Sequence, residues 1–405
     1  MNLALSPQQA ADHAAFQTFV DREVIPCADA YHQQQWIPAA AVARLAELGY
    51  LGLCLPTAMG GGGRDLLTLG LLAEELGRGC SSLRSLLTVH SMVAHTILRW
   101  GTAAQKQMFL PELATGKRLG ALALSEPNVG SDAKSVETTA TQTADGYVLN
   151  GLKKWITIGE IADLFLLVAN CEGQPAAFLV ERPRKGLATT PIRGLLGTRA
   201  SMVAQVQLTD CLVPKENLVG RQGFGISQIA ATALDLGRYT VAWGCVGIAQ
   251  ACLDACIVYS TERKQFGVAL REHQLVRQMI TDMMTEVAAA RLLCCQAARL
   301  REQRDPEAQP ATAMAKYFAS RAAVRAASDA VQLHGANGCS SDYPVARYLG
   351  DAKIMEIIEG STQIQQITLP EYGYQEYGPL CVRRVARSAS VAGDMPGSAA
   401  QQGPM

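Results

Sequence analysis

The sequence predicts an α+β fold in three parts: an N-terminal helical domain, a middle antiparallel β domain and a C-terminal antiparallel helical bundle. Two changes of hydrophobic period predict it. Apolar residues recur at helical spacing to about residue 118, switch to short β-type runs punctuated by Gly, Asn, Asp and Pro, and return to helical spacing from residue 223. The third observation is bulk. A chain of 405 residues, 49% hydrophobic and 18% charged, has room for several domains around a continuous core, which excludes a disordered chain.

Within residues 1–118, AAVARLAELGYLGLCL and LTLGLLAEELGRG carry the helical pattern, with stops at Pro56, at Gly60 to Gly63 and at Gly101. The glycine run has no following Lys-Ser or Lys-Thr and no preceding βαβ pattern. It therefore reads as a turned or flexible loop, not a phosphate-gripping one. Residues 119–222 hold the strand runs ALALSE, GYVLNG, KKWITI, LFLLVAN, AAFLVE and VAQVQL. From 223 to 381, long Ala-rich helical stretches run from Gly223 to Thr261, Glu272 to Gln303 and Gln309 to Leu333, and suit close helix packing and a subunit interface. The last segment, 382–405, has little to bury and is expected to be disordered.

Lys plus Arg and Asp plus Glu number 36 each, so no bulk charge favours nucleic acid or an anionic membrane. None of the 12 cysteines forms C-x-x-C, which argues against zinc and thioredoxin-type sites and for no metal at all. Cys252 and Cys256 share a helical face, and Cys27, Cys54 and Cys245 read as small core residues. With no signal-peptide core and no apolar run read as long enough to cross a bilayer, the expectation is reduced thiols in a cytoplasmic protein with no membrane partner.

Glu359 is the chemical candidate. It sits in KIMEIIEGSTQIQ beside Ile357, Ile358 and Ile364, and Gly360 follows it. Burial there would raise its pKa toward neutrality, the tuning a general base needs. The other reading of this segment alone is a surface Glu at a helix start.

The strings ALSEPNVGSDA, GLKKWITIG, ERKQFG with EHQ soon after, DAVQLHGANG, YPVARYLGDAKI and IIEGSTQIQ stand in the order and spacing of the acyl-CoA dehydrogenase flavoproteins. The chain resembles that family from about residue 10 to 380. The resemblance implies bound FAD, with Leu124 and Ser125 at the flavin ring edge and Ser131 near the pyrophosphate or thioester. Trp155, Ile156 and Thr157 match the family's WIT triplet bordering the isoalloxazine, although a Trp in a β domain is equally a core residue. Arg263, with Gln265 and Phe266, matches the arginine that reaches the diphosphate of a neighbouring subunit's FAD. Gln274, Gln332, Gly335, Ser361 and Gln363 match positions around the adenosine half, with Ala336 where the family usually has a second glycine. A site shared between chains implies a homotetramer or dimer.

The same resemblance makes Glu359 the base that removes the α-proton of an acyl thioester. Its backbone N–H supplies half of an oxyanion hole, Gly360 permits the close approach, and a hydride leaves the β-carbon for flavin N5. Branches that carry the base elsewhere place it where this chain has Gly237, which cannot act. Asp235 and Arg238 resemble residues lining the thioester channel, unless Asp235 simply pairs with Arg238. Arg84, in RSLLTVH, locally resembles the glutaryl-CoA dehydrogenase segment whose arginine receives a distal carboxylate; the other reading is an exposed or helix-end arginine. SSLRSLLTVHS together with GLLGTRASM, which ends on Ser201 and Met202, also resembles dehydrogenases of polyketide gene clusters. The expectation is a short polar acyl group on an acyl carrier protein, with a CoA thioester second. The acceptor implied is an electron-transfer flavoprotein or oxygen.

Overall fold

The computed structural model describes residues 4–375. The tail expected at 382–405, and the end of the third expected segment, lie outside the described residues.

Helices come first: α1 Pro7–Phe19, α2 Ile25–Gln34, α3 Ala39–Glu47, α4 Leu66–Gly79, α5 Ser81–Trp100 and α6 Ala103–Ala114. Their starts are chemically marked. Ser6 and Thr102 form capping boxes with Gln9 and Gln105, and the Asp65 carboxylate accepts from the Thr68 amide. The glycine run is tightly turned, as the Gly61, Gly62 and Gly63 amides donate to the Pro56, Gly52 and Leu55 carbonyls.

The middle region is one eight-stranded sheet: β1 Gly120–Ala123, β2 Thr139–Thr143, β3 Gly146–Ile156, β4 Leu164–Cys171, β5 Gln174–Glu181, β6 Leu187–Pro191, β7 Ala204–Val213 and β8 Leu218–Val219. The strand order is β6-β7-β3-β2-β4-β5-β8, with β1 also on β4. Most pairings are antiparallel, while β1 and β2 both meet β4 in parallel. GYVLNG and KKWI form one strand, interrupted by register shifts after Leu149 and Lys153. The sequence reading did not include β2 and β6, because TATQT and LATTP are threonine-rich and largely exposed, without an apolar alternation.

The chain then forms α7 Ala231–Glu262, a small hairpin of β9 Lys264–Gln265 and β10 Val268–Ala269, α8 Gln274–Glu302, α9 Ala308–His334 and α10 Val345–Ile357. Residues 362–375 are helical again. α7 is the axis of the molecule. Together with the π-turn before it, it spans the 38 residues Gly225–Glu262, whose most apolar 18-residue window has a mean hydropathy of 1.7, long and apolar enough to cross a membrane, contrary to the sequence expectation. Its most apolar window is 72% buried inside the fold, against α4, α5, α8, α9 and α10, so the apolar length belongs to a core.

Glycines set how closely α4 and α7 approach. A methyl on Gly70 would strike Trp243, one on Gly77 the backbone of Gly244, and one on Gly247 the carbonyl of Glu74. Eleven described cysteines are free, with Cys245, Cys252 and Cys256 buried, whereas Cys27 and Cys54 are only half-buried. Gly247→Ala forces the α4 backbone away and is expected to cost about 1–3 kcal/mol of stability, read as a lower urea midpoint. An unchanged midpoint would show that this crossing is not tightly packed.

Candidate active site

Past the end of α10, Glu359 and Gly360 both take left-handed backbone conformations, with φ of 55° and 83°. For a side-chain-bearing residue this costs about 1–2 kcal/mol, so the turn needs restraint from its surroundings. Gln365 Nε2 donates to the Gly360 carbonyl over 3.2 Å, and Lys316 Nζ, from α9, donates to the same oxygen over 2.7 Å. The reversed turn carries the carboxylate back onto α7, where a Cβ on Gly237 would collide with it. Gly237, the position to which the resemblance would assign the alternative base, is thus faced here by the carboxylate of Glu359. This is no surface Glu at a helix start. Oε2 is shielded from solvent and takes no hydrogen bond, and the Glu359 amide has no acceptor among the described residues.

Burial pushes the Glu359 carboxyl up to about 7, against the opposing pull of Arg238, Arg84 and Lys316. Three cations therefore act on the Glu359 carboxylate. Lys316 is itself buried, and desolvation pushes its ammonium down to about 8. Arg84, on the first turn of α5, is wholly buried and neither exposed nor a helix-end partner. Its Nη1 donates to Thr88 Oγ1 over 3.2 Å and its Nη2 to Ser85 Oγ over 3.1 Å, while Nε has no partner. Among the described residues no carboxylate lies within ion-pair distance of it, so this buried cation lacks a counter-ion of its own.

Asp235 is engaged differently from the sequence expectation. Its partner is Arg301, at 2.7 Å, while Arg238 stands 3.9 Å away. Asp235, Arg301, His95 and Arg99 line a polar cavity of about 130 Å³. Arg238 is held only loosely by Asp235 and acts on Glu359 as well.

On the sheet side, the Leu124 side chain lies in the core and its carbonyl accepts from Lys153 Nζ over 3.1 Å. Ser125 is tied to β3 by the Lys154 amide, which donates to its carbonyl over 2.9 Å. Ser131 is exposed. The Trp155 ring is 51% exposed on a left-handed backbone, which rules out the core reading, whereas the Ile156 side chain is buried and offers nothing to a ligand. Thr157 is half-buried in the turn that follows β3. Beneath them, buried Lys153 and Glu126 pair at 2.7 Å, and Glu126 also accepts from the Glu137 and Thr138 amides. Burial raises the Glu126 carboxyl, but the Lys153 and Thr138 hydrogen bonds outweigh it and hold it low. This clamp, like Lys316, was not picked out from the sequence. Lys153 shares the strand parity of buried Tyr147 and Leu149, the one signal that it needed a partner.

The remaining candidates gather at the far end of α7. Arg263 follows its last turn, and Phe266 tops the β9–β10 hairpin, 95% exposed. His273 Nε2 lies 3.3 Å from the Gln265 carbonyl, which places exposed Gln274 beside the hairpin. Tyr259 stacks on His334 at 4.1 Å, bringing Gln332 and Gly335 to the same end. Gly335 has φ 61° and ψ −138°, a glycine conformation, while Ala336 is not left-handed and sits there unstrained. Ser361 and Gln363 stay at the Glu359 end, where Ser361 Oγ accepts from the Ile364 amide. From Gly237 to Arg263 the helical rise is about 39 Å.

These groups fit a flavin dinucleotide. An exposed, fixed indole between Ser125 and Thr157 offers a flat face and hydroxyls, the start of helix 362–375 suits a phosphate, and Arg263 is exposed without an ion-pair partner among the described residues.

Family profiles described as acyl-CoA dehydrogenase N-terminal, middle and C-terminal domains match residues 6–117, 121–211 and 223–371. A probable acyl-CoA dehydrogenase, YngJ, of Bacillus subtilis is 38% identical over 91% of this chain and 98% of its own. The mouse mitochondrial short-chain specific acyl-CoA dehydrogenase is 36% identical over 89% of this chain and 88% of its own. Among solved structures, butyryl-CoA dehydrogenase from Megasphaera elsdenii superposes with a TM-score of 0.89 at 34% identity, covering 92% of this chain and 99% of that one. A glutaryl-CoA dehydrogenase in complex with glutaryl-CoA gives 0.89 at 34% identity, over 93% and 97%. FkbI, described as acting in biosynthesis of the methoxymalonyl extender unit of a polyketide, gives 0.82 at 31%, over 90% and 99%.

Glu359→Gln is expected to retain fold and flavin and to lose most turnover. Because burial raises the folded-state pKa of Glu359 from 4.5 to about 7, its contribution to stability is full below pH 4.5 and is lost as pH rises through 7. The variant should therefore be more stable than wild type at pH 8, by about 3 kcal/mol at most, and not at pH 4. Equal stabilities at pH 8, or near-normal turnover, would contradict this assignment.

Proposed function

The chain belongs to the acyl-CoA dehydrogenase family, FAD-dependent oxidoreductases acting on CH–CH groups, and from that premise we propose that it introduces an α,β double bond into a short acyl-CoA thioester. The observation that carries the reading is the half-buried Glu359 carboxylate, its Oε2 shielded and unbonded, next to a free backbone amide. With its pKa near 7, Glu359 is ionised in a useful fraction at neutral pH and strong enough to take an α-proton. Its own N–H donates to the thioester carbonyl, where the enolate charge develops. Arg238, Arg84 and Lys316 surround that charge with positive potential. FAD, when bound, supplies the acceptor for the hydride leaving the β-carbon. Ser125, Ser131, Trp155 and Thr157 are the residues we assign to hold its reactive half, and Ser361 and Gln363, matched from sequence to the adenosine half, are assigned here to the Glu359 end instead.

Arg263, Gln265, Phe266, Gln274, Gln332 and Gly335 would hold the adenosine half. A separation of about 39 Å along one helix supports their serving a neighbouring chain's flavin, in a homotetramer or dimer. An electron-transfer flavoprotein is the acceptor we assign; peroxide release on turnover would point to oxygen instead.

Coenzyme A is favoured over the carrier protein ranked first from sequence, because the two relatives and two of the three structures are named for CoA esters. The likeness to FkbI keeps the carrier-protein thioester as the second reading. The cationic cavity beside Asp235 suits the phosphate of either carrier. At the other end of the site, the unmatched Arg84 favours an acyl group with a polar or acidic end.

The deciding experiment is anaerobic flavin bleaching with butyryl-CoA, glutaryl-CoA and matching acyl-carrier-protein thioesters. Bleaching by CoA thioesters supports the proposal, bleaching by carrier-protein thioesters alone replaces it with the second reading, and no bleaching ends the dehydrogenase reading. Arg84→Ala should lower kcat/KM at least about 30-fold more on glutaryl-CoA than on butyryl-CoA. Equal losses would make Arg84 structural.

A further inference from the structure

Lys316 stands outside the motifs that mark this family in the sequence, in the run TAMAKYFAS of α9, yet it is fully buried and touches the turn bearing the base. Two groups converge on the Gly360 carbonyl, the Lys316 ammonium at 2.7 Å and the Gln365 amide at 3.2 Å. Gln365 belongs to the following helix and travels with the turn. Lys316 comes from α9, packed against α7 and α10, and so ties the turn to the rigid bundle. Both residues of that turn are left-handed. A change of the Glu359 and Gly360 backbone dihedrals toward a commoner conformation would swing the Gly360 carbonyl away from Lys316. The same change would move the carboxylate off Gly237 and turn the Glu359 amide away.

We propose that Lys316 is a positioning residue for proton abstraction, holding the strained Glu359–Gly360 turn by its carbonyl so that carboxylate and amide face the substrate together. This inference rests on the acyl thioester dehydrogenation assigned above. A buried ammonium serves better here than a neutral donor, since a charge-assisted hydrogen bond is roughly twice as strong as a neutral one. The positive charge also favours the ionised base. Groups facing Glu359 are Arg238 from α7, Arg84 from α5 and Lys316 from α9; those facing Lys316 are Cys245 and Arg238 from α7, Glu356 from α10 and Glu359 itself. Removing the Lys316 charge leaves two cations near the carboxylate, so the base becomes harder to ionise.

The test uses the holoenzyme with its flavin reduced by dithionite, which cannot accept hydride, and follows exchange of the α-protons of butyryl-CoA into D2O by NMR. Exchange then reports proton abstraction alone. Lys316→Met should slow exchange by about 100-fold, the scale of a small misplacement of reacting groups, with a much smaller change in butyryl-CoA affinity. Its acid limb should move to higher pH than in wild type. Lys316→Gln keeps a donor without the charge, and should recover part of the rate but not the position of the acid limb. Wild-type exchange and an unmoved limb in Lys316→Met would overturn the proposal. If that variant yields no folded flavoprotein, an unmoved limb in Lys316→Gln overturns it instead. Absence of exchange in the wild type would overturn the functional reading itself.

Discussion

A carboxylate pressed without a hydrogen bond against the bare backbone of α7 is the constraint on which the rest of the site depends. Contact with α7 requires a residue without a side chain, and Gly237 provides it. Reaching α7 from the end of α10 requires two consecutive left-handed residues, which only a restrained turn sustains. Desolvation pushes the carboxyl up, and three nearby cations temper the rise to about 7. Each feature answers a problem that the previous one creates.

The architecture serves the same end. α7 brings Gly237 and Arg238 to the base, and small residues let α4 pack closely against it. The sheet reaches the site through a segment stapled from below by a buried Lys153–Glu126 pair, so that Ser125 and Trp155 rest on fixed backbone. A pair this deep is expensive to break, because either partner alone would be a buried unmatched charge.

Much of this was legible in the sequence. The three-part fold followed from changes of period, and Glu359, Arg238 and Arg263 stood in recognisable strings. What escaped has a common physical reason: it depends on contacts between distant segments. Nothing near Lys316 announces that its ammonium meets a carbonyl 44 residues on. Asp235 was weighed against its neighbour Arg238, whereas its partner lies 66 residues away on α8. The sheet shows the converse limit, since β2 and β6 form because neighbouring strands need partners, with little apolar pattern of their own.

The central claim is that desolvation, offset by three cations, sets the base near neutrality. Isotope-edited infrared difference spectra of the holoenzyme, with Glu359→Gln to identify the band, measure this carboxyl directly. The account predicts that the Glu359 carboxyl band titrates near pH 7. A carboxylate fully ionised by pH 5 would contradict it.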